Sequence, residues 1–94
     1  MAEPRRGRPP TVDPDASHAA RLGAEIRARR TTKGLTLQQL VDLAGYTLQY
    51  LSEVERAKAT PTVAFVAAVD RALDAHGALE LLLPPVLQDR ERQR

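Results

Sequence analysis

The chain has 94 residues, 43% of them hydrophobic, enough for one small domain and too few for a second independent core. It has no cysteine and only 3% aromatic residues, so disulfides and thiolate metal sites are excluded and the core must be aliphatic. The net charge is +2 and no segment approaches the ~20 apolar residues of a membrane span, which predicts a soluble, cytoplasmic protein without a membrane partner.

The charge is unevenly placed. Residues 1–33 carry eight Lys and Arg against four Asp and Glu, whereas residues 36–83 carry three against six. A polyanionic partner would therefore be met by the N-terminal part and by Arg56 and Lys58; a solubilising basic terminus is the bland alternative. Residues 1–12, MAEPRRGRPPTV, are rich in proline and arginine, a composition that predicts a disordered basic arm. Within it RGRP, Arg6 to Pro9, resembles the core of the AT-hook, whose arginines lie in the minor groove of A·T-rich DNA. The other reading is a general basic arm in which Arg5, Arg6 and Arg8 meet phosphates.

Asp13 followed by Pro14 predicts the start of a first helix, a capping acid before a proline at the first helical position. Ala19, Leu22, Gly23 and Ile26 give that helix its apolar stripe, and Gly34 ends it just after Lys33. Thr36 then caps a second helix, with Gln39 three residues on to complete a capping box. Its apolar run Leu37, Leu40, Val41, Ala44 stops at Gly45, where a left-handed residue is needed. Thr47 caps a third helix with Leu48, Leu51 and Val54 at helical spacing. Two helices joined by a three-residue turn containing glycine form a helix-turn-helix unit, whose second helix is built to enter the major groove of DNA.

After the loop AKAT, Thr60 as cap and Pro61 at the first position predict a fourth helix carrying Val63, Val66, Val69, Ala72 and Leu73 and closing near Gly77. No alternating strand pattern or hairpin turn occurs. In the last stretch, ALELLLPPVLQDRERQR, the two prolines are expected to interrupt the apolar run. Leu79, Leu82, Leu83, Val86 and Leu87 exceed what one short helix needs, which implies intramolecular packing or a subunit contact; the reading leans to a homodimer. The expected organisation is a basic arm at 1–12, a helix-turn-helix DNA-binding domain at 13–83, and an apolar and charged tail at 84–94 available for dimer contact.

From Leu22 to Leu73 the chain resembles the Cro/C1-type, or XRE, helix-turn-helix family of bacterial and phage regulators. The resemblance rests on LGAEIRARR at Leu22 to Arg30, on Gly34, Leu35, Thr36 and Leu40, on Gly45, Thr47, Leu51, Val54 and Glu55, and on Pro61, Phe65, Ala72 and Leu73. It implies an all-α fold, a compact four- to five-helix bundle of the lambda-repressor-like DNA-binding type. It also implies a sequence-specific binder of double-stranded DNA acting in transcription regulation, and it places Arg30 and Glu55 where relatives pair an Arg and a Glu between the first and third helices. Three departures stand out. Leu37 occupies the usual place of a phosphate-contacting glutamine, Val41 that of a small alanine, and Ala57 that of a glycine. If the backbone at Ala57 has positive φ, alanine is strained there by ~1 kcal/mol.

A recognition helix presents its first turns to base edges. With Leu51 and Val54 facing the core, Gln49, Tyr50, Ser52 and Glu53 form the expected outward set, with Leu48 at its edge. Gln49 suits adenine, Glu53 the amino group of cytosine, and Leu48 and Tyr50 a thymine methyl or the sugar backbone. Each has the plainer reading of an ordinary exposed helix residue. No arginine belongs to this set, so phosphate contacts are assigned to Thr36, Gln38 and Arg27 and to Arg56, Lys58 and Thr60.

No catalytic constellation is visible. His18 and His76 lie far apart, no third ligand stands at metal spacing, and no phosphate loop or nucleophile motif is present, so neither an enzyme nor a bound cofactor is expected. The competing class is a protein-interaction module on the same fold, an antitoxin or adaptor with another protein as its main or regulatory partner, favoured by the acidic helices and the apolar C-terminal run.

Overall fold

Each helix starts and stops where a short-range bond is available, as the computed structural model, which describes residues 13–92, makes plain. The order is α1 (His18–Thr32), α2 (Leu37–Ala44), α3 (Leu48–Glu55), α4 (Val63–Ala72), a 3-10 turn at Glu80–Leu82, and α5 (Leu83–Arg92). No strand occurs among the described residues, as the all-α reading requires. The basic arm at 1–12, with Arg5, Arg6 and Arg8, lies outside the described residues.

Two predicted helix starts are displaced. Asp13 does not cap α1: its carboxylate accepts from the Asp15 N–H at 3.0 Å and its carbonyl from the Ala16 N–H at 3.0 Å. Those bonds close a separate turn, and Ser17 becomes the cap, its hydroxyl oxygen accepting from the Ala20 N–H. Likewise α4 is capped by Thr62 rather than Thr60, because Pro61 is buried and belongs to the preceding loop. The capping box at Thr36 and Gln39 and the cap at Thr47 form as expected.

Four helices end in the same corner. Gly34, Gly45, Ala57 and Asp74 have φ of 74°, 80°, 60° and 54°. In each corner the next N–H bonds a carbonyl five residues back: Leu35 to Arg30, Tyr46 to Val41, Lys58 to Glu53, Ala75 to Asp70. This motif satisfies carbonyls that a helix end leaves unpaired. It stops α4 at Ala72, short of the expected end near Gly77. Pro84 and Pro85 also depart from expectation. They sit in the first turn of α5, where a missing N–H removes no helical bond, so they begin a helix instead of interrupting one.

In the core, α1 packs on α3 and α5, and α2 on α3 and α4. Leu22, Ile26, Leu40, Leu51, Phe65, Val66 and Leu79 are fully buried, each such side chain stabilising the fold by about 1.5–3 kcal/mol. Leu79, Leu83 and Val86 are part of this core, so most of the C-terminal apolar surplus is consumed within the chain. Leu81 and Val63 remain exposed, at 79% and 63%. No described helix is long and apolar enough to cross a membrane.

The link from α4 to the 3-10 turn hangs on Asp70. Its buried carboxylate accepts from the backbone N–H groups of Gly77 at 2.9 Å, Leu79 at 2.9 Å and Glu80 at 3.4 Å. These charge-assisted bonds offset the desolvation of a carboxylate in the interior.

Candidate functional site

The close approach of α1 to the end of α3 fixes where α3 can sit. Gly23 is buried, and a Cβ built there would lie 2.5 Å from the Val54 carbonyl oxygen and 2.7 Å from that of Glu55. Only a glycine lets the two backbones meet at this distance. Two turns further along the same stripe, Arg30 clasps Glu55: Nε donates to Oε2 at 2.8 Å and Nη2 to Oε1 at 3.1 Å. The third donor of the fork, Nη1, reaches the Leu35 carbonyl at 2.9 Å. The pair is only 11% and 6% exposed. It ties α1, α3 and the corner before α2 into one unit, with little freedom for α3 to tilt.

At the exposed start of α3, Leu48 is 44% exposed and Gln49 is open to solvent. The Gln49 amide Nε2 donates to Glu53 Oε2 at 3.2 Å, leaving one N–H and the amide oxygen for a partner. Ser52 and Glu53 are half-buried.

Tyr50 does not point outward with the rest of the set. Its ring lies 4.7 Å from that of Phe65 at 69°, and Tyr46 meets Phe65 edge-on at 4.9 Å. The chain has two tyrosines, one phenylalanine and no tryptophan, so all its aromatic rings gather here. Edge-to-face contacts of this kind add roughly 0.5–1.5 kcal/mol to the burial. The Tyr50 hydroxyl donates to the Thr60 carbonyl at 3.3 Å, in the loop between α3 and α4.

The residues assigned to phosphates surround α3 on three sides. Thr36 is exposed at the positive end of α2, where its hydroxyl oxygen accepts from the Gln39 N–H and its hydroxyl proton stays available. Gln38 is exposed beside it, its amide already donating to Asp42 at 2.9 Å, while Leu37 packs against the core. Arg56 caps the end of α3, with Nε on the Ser52 carbonyl at 3.4 Å. Lys58 is exposed and Thr60 half-buried in the next loop. Arg27 stands between Gly23 and Arg30 on the α1 stripe that meets α3, since residues four and three apart share a helix face. Arg27 and Lys58 are exposed and make no ion pair among the described residues.

No group of three or more His, Asp or Glu side chains among the described residues has the arrangement of a metal site. His18 is engaged at the far side of the molecule, its Nδ1 2.7 Å from Asp89 Oδ2. A glycine between Leu22 and Ile26 was the one sequence signal for the close helix approach. Nothing in the helical spacing announced the inward turn of Tyr50 or the His18 contact.

A helix-turn-helix domain model matches residues 21–83. Among solved structures, the crystal structure of the clp gene regulator ClgR from Corynebacterium glutamicum is similar, with a TM-score of 0.63 and 30% sequence identity over 81% of this chain and 79% of that one. No protein of curated function matches the chain at a significant level.

Proposed function

The chain belongs to the helix-turn-helix domain family, and from that premise we propose that it is a regulator of transcription, of the Cro/C1 type found in bacteria and phages, that binds double-stranded DNA sequence-specifically. Residues 13–83 form the DNA-binding domain, and α3 lies in the major groove with Gln49 as its principal reader. Leu48, Ser52 and Glu53 contribute at the edges of the reading surface. Arg27, Thr36, Gln38, Arg56, Lys58 and Thr60 meet phosphates on either side, and the arginines of the arm extend that grip.

The observation that carries this reading is the arrangement around α3. An exposed helix start with an available amide is braced from behind by Gly23 and the Arg30–Glu55 clasp. Unpaired cationic side chains stand on both flanks. The similar regulator of known structure points the same way.

Selection of bound fragments from random DNA, followed by titration against salt, tests the proposal. Enrichment of a defined site, and affinity that rises steeply as salt falls, are expected. Absence of binding at low salt would transfer the function to a protein partner, the interaction-module reading. The exposed Leu81 and the apolar groove between Val63, Leu83, Pro84 and Leu87 give that second reading its footing. They also support a homodimer, for which inverted repeats with half-sites about one helical turn apart are expected among the selected fragments.

A further inference from the structure

Tyr50 sits in the reading helix but serves the loop that follows it. We propose that its hydroxyl is the positioning group that holds the α3–α4 loop in its phosphate-gripping shape, and that Tyr50 reads no base. This rests on the DNA-binding function proposed above and gives one of its helix residues a different task.

The loop has few other supports. Its first residues are tied back to α3 by the N–H groups of Ala57 and Lys58, and Thr62 caps α4. Between those points, at Ala59, Thr60 and Pro61, the only hydrogen bond among the described residues is the one from the Tyr50 hydroxyl to the Thr60 carbonyl. The tyrosine ring cannot swing away to meet DNA without giving up its contacts with Phe65 at 4.7 Å and Tyr46 at 6.2 Å. A rigid ring wedged on the core thus carries its polar tip to one carbonyl, two residues beyond Lys58. Without that anchor, the Lys58 ammonium and the Thr60 hydroxyl would be presented by a segment fixed only at its ends, and ordering it on binding would weaken the complex.

Tyr50→Phe tests this, because it keeps the ring and removes only the hydroxyl. Affinity for the selected site and for random duplex should fall by the same factor, about three- to ten-fold, with base preference and melting midpoint nearly unchanged. The salt slope should become shallower as a phosphate contact is lost. In the free protein, NMR order parameters at Ala59 and Thr60 should drop. A change of preference at one base position would make Tyr50 a base reader and overturn the proposal, as would unaltered order parameters with unaltered affinity. If the wild-type chain binds no DNA, the functional reading fails on its own, and the order parameters still decide whether Tyr50 holds the loop.

Discussion

Arg30 and Glu55 meet through two parallel hydrogen bonds of 2.8 and 3.1 Å while almost out of contact with water. Each charge is tolerable there only because the other is present. Glu55→Ala strands the guanidinium and should destabilise the fold by about 3–5 kcal/mol. Replacing both residues together, Arg30→Met with Glu55→Leu, should cost much less. Urea denaturation of the three variants decides it, and equal losses for single and double variants would refute the account.

Gly23→Ala forces a methyl group into the backbone of Val54 and Glu55. Carbonyl oxygens cannot rotate away as a side chain would, so α1 and α3 must separate. A loss of about 1–3 kcal/mol is expected. Any DNA affinity should fall further than stability alone explains, because the displaced element is the reading helix. Comparing binding at temperatures where the variant remains folded separates the two effects.

Ala57 holds a left-handed φ of 60° at the corner after α3. Ala57→Gly relieves the strain of a Cβ in that region and should stabilise the protein by about 1 kcal/mol. The shift should appear as a higher urea midpoint at unchanged m-value.

Lys58 and Gln49 should fail in different ways. Lys58→Ala is expected to weaken binding equally on all sequences and to lower the salt slope by about one unit. Gln49→Ala should relax the preference at one base position, with discrimination falling by about 1–3 kcal/mol and the slope unchanged. Competition assays against single-base variants of the selected site distinguish them, and the reverse pattern would exchange their roles.

Asp89 is held below the ordinary carboxylate value of 3.8, chiefly by its hydrogen bond with His18 and further by Arg92, against an opposing effect of desolvation. A depressed folded-state pKa contributes stability above the unfolded value, and this contribution is lost as pH falls through the folded one. The stability difference between the wild type and Asp89→Asn should therefore be constant above the ordinary carboxylate range and close below it. A difference that persists at the acid end would show that the carboxylate charge is not its source.

Local chemistry was the legible part of this chain. Thr36 with Gln39, Thr47, and the glycines at 34 and 45 mark helix ends because their bonds span only three to five residues. Where two capping residues competed, the tertiary surroundings chose. Asp13 gave way to Ser17 because Asp13 closes its own turn, and Thr60 gave way to Thr62 because Pro61 is buried and the Thr60 carbonyl is taken by Tyr50. The same limit applies to Tyr50 itself. Helical periodicity gives its direction to within a wide arc, and only the presence of Phe65 from α4 turns the ring inward. Pro84 and Pro85 misled for a related reason. Proline breaks or begins a helix according to where the first turn falls, and Leu79 and Leu83 set that by docking in the core.

The four left-handed corners after α1, α2, α3 and α4 each close within six residues, and the Asp70 carboxylate closes the fifth within ten. Nearly every change of direction in the chain can therefore be made before distant segments meet. Little loop entropy has to be surrendered in the search for the native arrangement, which places the protein among chains that fold in microseconds to milliseconds. A molecule assembled from such self-closing corners can be opened and recover within its own residence time on a partner.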